Sequence, residues 1–382
     1  MAFTISKRQI FVFDKIWFAY FLVKLFYLFF AKFVFSKLTT LGDTFRYLDG
    51  PLAWQANWFY SSTPMMDSLA GTSGKVLGPY LGSMPFMVLS FLGVYYPVSK
   101  LQLPKKQLIG LLALLSLPSF GVWTSIASKE AVSVFFMGII LAAYIDVYER
   151  RPINNKTIVA IALYLCLVFK PQYMIGVFAI FSFTYISRKF QLRVFSKLFL
   201  FIFAIIFGVS ILFYFRDLID SLSKIMPAHF SAEAGSTREN TIWVDQYDFF
   251  RNAAYGMYIA FVGPTVQEAL SKPTHLLAWL ESMIILTVFG ALLLKYFLVS
   301  VRKSKLNVMF LAGFSLAACW ILLVHYPFGA LNPGSAVRYR ESFYAFLVCL
   351  FFFMYRKAMA SAGESQLRSD YYFHSTLEIR GK

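Results

Sequence analysis

The chain has little charge for its size: Asp, Glu, Lys and Arg make up 14% of its 382 residues, against about 25% in an ordinary soluble domain. That shortfall leaves too few ionisable groups to face water over most of the surface. Acids are the scarcer sign, 19 against 36 Lys and Arg, which gives a formal net charge of +17. Cysteine is nearly absent, and Cys166, Cys319 and Cys349 lie inside apolar runs without CxxC spacing, so neither a disulfide framework nor a zinc site is indicated. There is no HExxH, no Walker-type glycine loop and no Gly-x-Ser-x-Gly. Those absences argue against metalloprotease, ATPase and hydrolase chemistry.

What is present is apolar: 59% hydrophobic residues and a mean hydropathy of +0.62, the composition of a polytopic membrane protein. The expected fold class is all-α, a transmembrane helical bundle with short amphipathic helices in its outward loops. The pattern predicts about ten spans, at roughly 16–36, 77–98, 106–120, 131–148, 157–170, 173–187, 195–215, 277–299, 306–325 and 341–356. Pro118 and Pro171 mark breaks, so the short runs around them read as helical hairpins. The first run has no small-residue cleavage site and contains Lys24 and Lys32. It reads as a retained span rather than a signal peptide.

Lys and Arg cluster in alternate loops, as at Arg150/Arg151 and Arg188/Lys189, so both termini are expected to be cytoplasmic; in a bacterium the membrane is the cytoplasmic (inner) one and the opposite face periplasmic. Residues 1–357 then form one transmembrane domain whose long outward loops are 37–76 and 216–276, and residues 358–382 a polar cytoplasmic tail. The positive charge reads as lipid and orientation signal. The bilayer is the expected partner, and nucleic acid is not.

The outward turns hold the residues that could do chemistry. Asp43, in the stretch Gly42 to Gly50, follows the first span directly and could act as a general base toward a sugar hydroxyl; the structural alternative is a helix cap or a turn. Lys129, Lys170, Arg338 and Arg340 occupy outward turns where the positive-inside tendency should deplete cations, which points to an anion held there. Snorkelling to headgroups is the competing account for Lys129 and Lys170. Glu130, beside Lys129, suits a helix N-terminus. An extended 328–341 segment would project Arg338 and Arg340 to one side as a phosphate clamp, whereas a helix would pair Arg338 with Glu341. In the long loop, His229, Arg238, Glu239, Asp245, Asp248, Arg251 and His275 could contact a glycan acceptor, with Trp243 and Tyr247 as stacking faces. His325, near a span end, reads as a donor or base or as a satisfied structural residue.

The chain resembles the GT-C superfamily of polytopic glycosyltransferases. The matching residues are Gly42, Asp43 and Tyr47 in the first outward loop, Pro118-Ser119 to Trp123 with Ser128-Lys129-Glu130, and Arg338-Tyr339-Arg340 before the last span. In size, Phe/Tyr-rich spans and one large late loop it is also similar to the polymerases of O-antigen and capsule gene clusters. The resemblance implies a glycosyltransferase of cell-surface polysaccharide biosynthesis that takes sugar from a polyprenyl-(pyro)phosphate donor to a glycan acceptor. It implies Asp43 as catalytic base, and Lys129, Lys170, Arg338 and Arg340 as lipid-phosphate contacts, with Arg46, Tyr47 and Glu130 completing the substrate site. No cofactor is required by this reading, and a divalent cation is left open. Many members of that family carry a second acid beside the first; here Thr44 follows Asp43, and the next acid is Asp49. A repeat-unit polymerase is the nearest alternative function, and a lipid-linked glycan transporter the alternative from another class.

Overall fold

A computed structural model describes residues 7–51, 56–153, 155–229, 237–303 and 306–361, and every regular element among them is helical. Hydrocarbon offers no partner to an open backbone group, so a chain this apolar closes its hydrogen bonds inside helices. Seven of these are long and apolar enough to cross a membrane: α1 (Lys15–Leu38), α2 (Met84–Leu101), α3 (Lys129–Glu149), α4 (Val194–Tyr214), α5 (Pro273–Lys303), α6 (Val308–Gly329) and α7 (Pro333–Ser361). The sequence reading expected about ten. The difference falls on the segments around the prolines: 106–120 becomes two pieces, Lys105–Leu114 and Pro118–Trp123, while Lys156–Phe169 and Tyr173–Lys189 have 14 and 17 residues. At 1.5 Å per residue the shorter of these reaches only about 21 Å.

Two helices form the axis of the bundle. The apolar stretch of α3 is 89% buried and that of α7 72%, whereas α4 is 6% and α5 17% buried. Without a hydrophobic drive between helices in lipid, close backbone approach decides which pack innermost. Gly138 of α3 and Gly93 of α2 supply it: a methyl on Gly138 would overlap the Gly93 carbonyl. On α4, by contrast, Phe195, Phe199, Phe203 and Phe207 are all exposed, which suits a lipid-facing stripe.

The break between Lys105–Leu114 and Pro118–Trp123 strands carbonyls and N–H groups inside the bundle, and distant side chains take them up. Tyr344, Tyr20 and Tyr27 donate to the carbonyls of Leu114, Leu115 and Ser116 at 3.2, 3.3 and 2.9 Å. Ser119 N–H donates to both Glu281 oxygens at 3.1 Å, and Lys24 Nζ donates to Thr124 O at 2.9 Å. The short Pro118–Trp123 helix thus has a carboxylate at its N-terminus and an ammonium at its C-terminus, matching its dipole.

Helix Ala253–Val262 ends the same way. Its terminal carbonyls at Ala260, Phe261, Val262 and Gly263 meet His325 Nε2 (2.9 Å), Arg340 Nη1 (2.9 Å), Ser282 Oγ (2.7 Å) and Arg238 Nη2 (2.5 Å). Lys24, Glu281, Arg340 and Glu341 are buried within the bundle. Broken helix ends account for the first three.

Side-chain contacts fix the two ends of the bundle. Lys100 at the close of α2 pairs with Asp146 near the close of α3, and Arg150 Nη2 donates to Arg188 O at 2.8 Å. The start of α3, the turn at Lys170 and the start of α7 gather at the opposite end.

Candidate functional site

At that opposite end, Asp43 occupies the N-cap position of the short helix Thr44–Leu48, yet its carboxylate makes no cap hydrogen bond. It points at basic and phenolic groups instead: Arg338 Nη2 at 3.5 Å, Arg46 Nε at 3.6 Å and the Tyr47 hydroxyl at 3.5 Å. The capping alternative is therefore not realised. Gly42 makes this possible, because its φ of +57° sets the turn and a side chain there would collide with the Arg338 guanidinium.

Arg338 is the centre of the group. Besides Asp43, its Nε lies 3.3 Å from Glu130 Oε1, and its guanidinium sits 5.4 Å from the Trp123 ring and 5.6 Å from the Tyr339 ring, within cation–π range. Glu130 is brought in because Ser128 caps α3, accepting from Ala131 N–H at 3.1 Å, which fixes Lys129 and Glu130 in the first helical turn. Although Glu130 and Arg338 stand at ion-pair distance, both Glu130 oxygens and Arg338 Nε are buried without an aligned hydrogen bond. Such atoms are ready to accept or donate to an incoming polar ligand.

Two more cations share this field. Lys129 Nζ donates to Ser62 Oγ and Thr63 Oγ1 at 3.0 and 2.7 Å and feels Glu130, Asp43, Arg338 and Arg46. Lys170 sits in the turn before Tyr173–Lys189 with its ammonium 4.6 Å from the Tyr339 ring. Burial pushes the Lys170 ammonium down to about 8, with Glu130 opposing the shift and Arg338 and Lys129 adding to it. Around Asp43, Arg46 stacks over Tyr47 at 4.6 Å and reaches Asp67 at 3.3 Å. Burial, reinforced by Asp43, raises the Tyr47 phenol, so it stays a donor toward that carboxylate.

The structure thus brings together Asp43, Arg46, Tyr47, Lys129, Glu130, Lys170 and Arg338. Arg340 is elsewhere. The 333–361 segment is helical, and two residues along a helix turn about 200°, so Arg340 faces the other way, 1% exposed, and binds Glu341 Oε1 (2.9 and 3.1 Å), Ser282 Oγ (2.6 Å) and Phe261 O (2.9 Å). Neither sequence alternative holds: the two arginines do not share a side, and Glu341 pairs with Arg340 rather than Arg338. A local signal for the helix existed in Asn332-Pro333, since the Asn332 carboxamide accepts from Ser335 N–H at 2.9 Å and proline suits the first helical position.

The long-loop residues largely serve the fold. Arg238 makes a two-pronged pair with Glu268, both contacts 2.6 Å, and donates to the Ala330 and Gly263 carbonyls. Trp243 is 3% exposed with its indole donating to the Tyr326 hydroxyl at 2.6 Å, so it offers no stacking face. Tyr247 donates to Asp217 at 2.6 Å, and Asp248 accepts from the Val244 and Asp245 N–H groups. Arg251, Asp245 and Glu239 stay exposed. His325 is 1% exposed against Ala260 O; the His229 side chain lies outside the described residues. His275 lines a small cavity of about 100 Å³ between Phe35, Trp123, Leu277 and Val337. This apolar cavity adjoins the Arg338 group, because Trp123 belongs to both. Among the described residues, no three His, Cys, Asp or Glu side chains gather to hold a metal ion.

No protein-family model, curated protein or solved structure matches this chain.

Proposed function

We propose that the chain is a membrane glycosyltransferase of surface-polysaccharide synthesis, working on a polyprenyl-phosphate- or pyrophosphate-linked sugar at the Asp43 end of the bundle. In this reading that end faces outward, both termini are cytoplasmic, and the two-piece 105–123 segment with helices Lys156–Phe169 and Tyr173–Lys189 brings the crossings to ten. The observation that carries it is the grouping of Arg338, Lys129 and Lys170 around two carboxylates, one of them half exposed and the other buried. Three cations exceed what two acids need. A phosphate would balance them.

The donor phosphate is gripped by Arg338 and Lys170, with the first carbons of the lipid in the apolar cavity at Trp123. As Arg338 swings to the phosphate it leaves Asp43, which is 47% exposed on its side chain and free to meet an acceptor hydroxyl. The acceptor oxygen bonds to the anomeric carbon and the carbon–oxygen bond to phosphate breaks. Its electron pair leaves with the phosphate, while Asp43 takes the hydroxyl proton. The leaving group is already anionic, so fixed cations in a site of low dielectric supply its stabilisation. A repeat-unit polymerase would use the same atoms with a longer acceptor.

The test is Asp43→Asn, which keeps shape and removes the base. In a cell whose surface polysaccharide depends on this chain, transfer should fall by about 10²- to 10⁴-fold at unchanged protein level. Unaltered polysaccharide would reject Asp43 as base.

A further inference from the structure

The opposite end of the bundle carries a second, larger cavity of about 600 Å³, lined by Arg150, Arg151, Arg188 and Lys189 together with Tyr185 and Val147. Four cations face it and no acid does. Its walls are made by two helix ends that turn in the same way: α3 closes on Arg150 in a left-handed conformation (φ 57°), and Tyr173–Lys189 closes just before Gln191 (φ 46°). Cations are favoured at helix C-termini by the dipole, which explains their presence there but not their convergence on one hollow.

The nearby acids are already engaged. Asp146 pairs with Lys100, and Glu149 pairs with both Arg151 and Lys357. Arg150, Arg188 and Lys189 have no acid at ion-pair distance among the described residues. Two of them are nonetheless held in place: Arg188 lies over the Tyr148 ring at 4.5 Å, and Arg150 is tethered to Arg188 O at 2.8 Å. Guanidinium groups so fixed lose little freedom when they bind, and their forked donors match a phosphate. Lys189 spans the exposed rings of Tyr185 and Phe190 at 5.2 and 5.8 Å. Exposed aromatics beside cations are the composition of the membrane–water boundary.

We infer that this cavity is a phosphate-binding site at the headgroup level of the leaflet on the Arg150 side, its ligand being the phosphate of an anionic lipid or a free phosphate of the same chemistry. The site is separate from the one proposed for sugar transfer, and it stands whether or not that reading holds.

The experiment uses the full chain in nanodiscs of phosphatidylcholine alone or with phosphatidylglycerol. Lipid retained through purification is counted and thermal stability followed, for the native chain, for Arg150→Gln with Arg188→Gln, and for a control of equal charge loss, Arg302→Gln with Lys303→Gln. Phosphatidylglycerol should be enriched around the native chain and the control, and the enrichment should drop about tenfold in the cavity variant. Inorganic phosphate added to phosphatidylcholine discs forms the second arm: stabilisation that depends on Arg150 and Arg188 assigns the site to free phosphate, and its absence beside lipid enrichment assigns it to the headgroup. Equal behaviour of the cavity variant and the control in both arms overturns the inference. So does a native chain that neither enriches phosphatidylglycerol nor responds to phosphate.

Discussion

The two ends of the bundle both collect cations, but they hold them differently. At the Asp43 end, Arg338 is 14% exposed on its side chain, wedged between two carboxylates and two aromatic rings; at the Arg150 end, four basic side chains line an open hollow that has no acid in its walls. An unpaired guanidinium can be tolerated where water and headgroups reach it. A buried one cannot, because desolvation far exceeds what a lone charge recovers. At the Asp43 end the charge is therefore shared between partners inside the protein, and at the Arg150 end it is left open to the surroundings.

Variants that break this contrast should differ in what they damage. Arg340→Gln should have the largest effect on folding, since it leaves Glu341 buried without its ion pair and frees the Phe261 carbonyl; a loss of about 3–5 kcal/mol would show as a lowered melting temperature or failed expression. If Arg340 were a ligand contact, as is proposed for Arg338, the variant would instead fold normally and lose donor affinity. Gly42→Ala should come next, costing about 1–2 kcal/mol for the left-handed turn and displacing Arg338, so that donor affinity falls along with stability.

Lys170 sharpens the contrast by pH. Its ammonium is present below about 8 and is lost as pH rises through that value, while the phosphate diester linking sugar to lipid stays singly ionised throughout this range. Donor affinity should therefore weaken, by up to about tenfold, between about pH 7 and about pH 9. Lys170→Met should be weak throughout and lose the inflection. An inflection unchanged in Lys170→Met would place the titrating group elsewhere. Arg150→Gln with Arg188→Gln should have the smallest effect on transfer, within about twofold, because the two ends share no residue; a larger loss would couple them.

The membrane class and an all-helical fold are legible from composition, because long apolar runs have few other outcomes; of the ten expected spans, seven helices are long and apolar enough to cross a membrane. The gathering of Asp43 with Lys129, Lys170 and Arg338 is anticipated by their shared placement in turns on one side of the apolar runs. Arg340 departs from the clamp because an Arg-x-Arg pair shares a side only in a strand, and Asn332-Pro333 starts a helix. In the sequence Lys24 and Glu281 show only as single charges in apolar runs. Their partners are backbone groups more than ninety residues away in sequence, so no local pattern gives them. A single ionisable residue inside a long apolar run is the available clue, and it says that a buried partner exists without naming it.

The grip on phosphate is tested most directly by measuring polyprenyl-phosphate binding to the purified chain and to Arg338→Gln, each shown to be folded. The account predicts saturable binding to the native chain, weakened at least about tenfold in the variant and unaffected by the remote change Arg302→Gln. Equal affinity of the native chain and Arg338→Gln would contradict it.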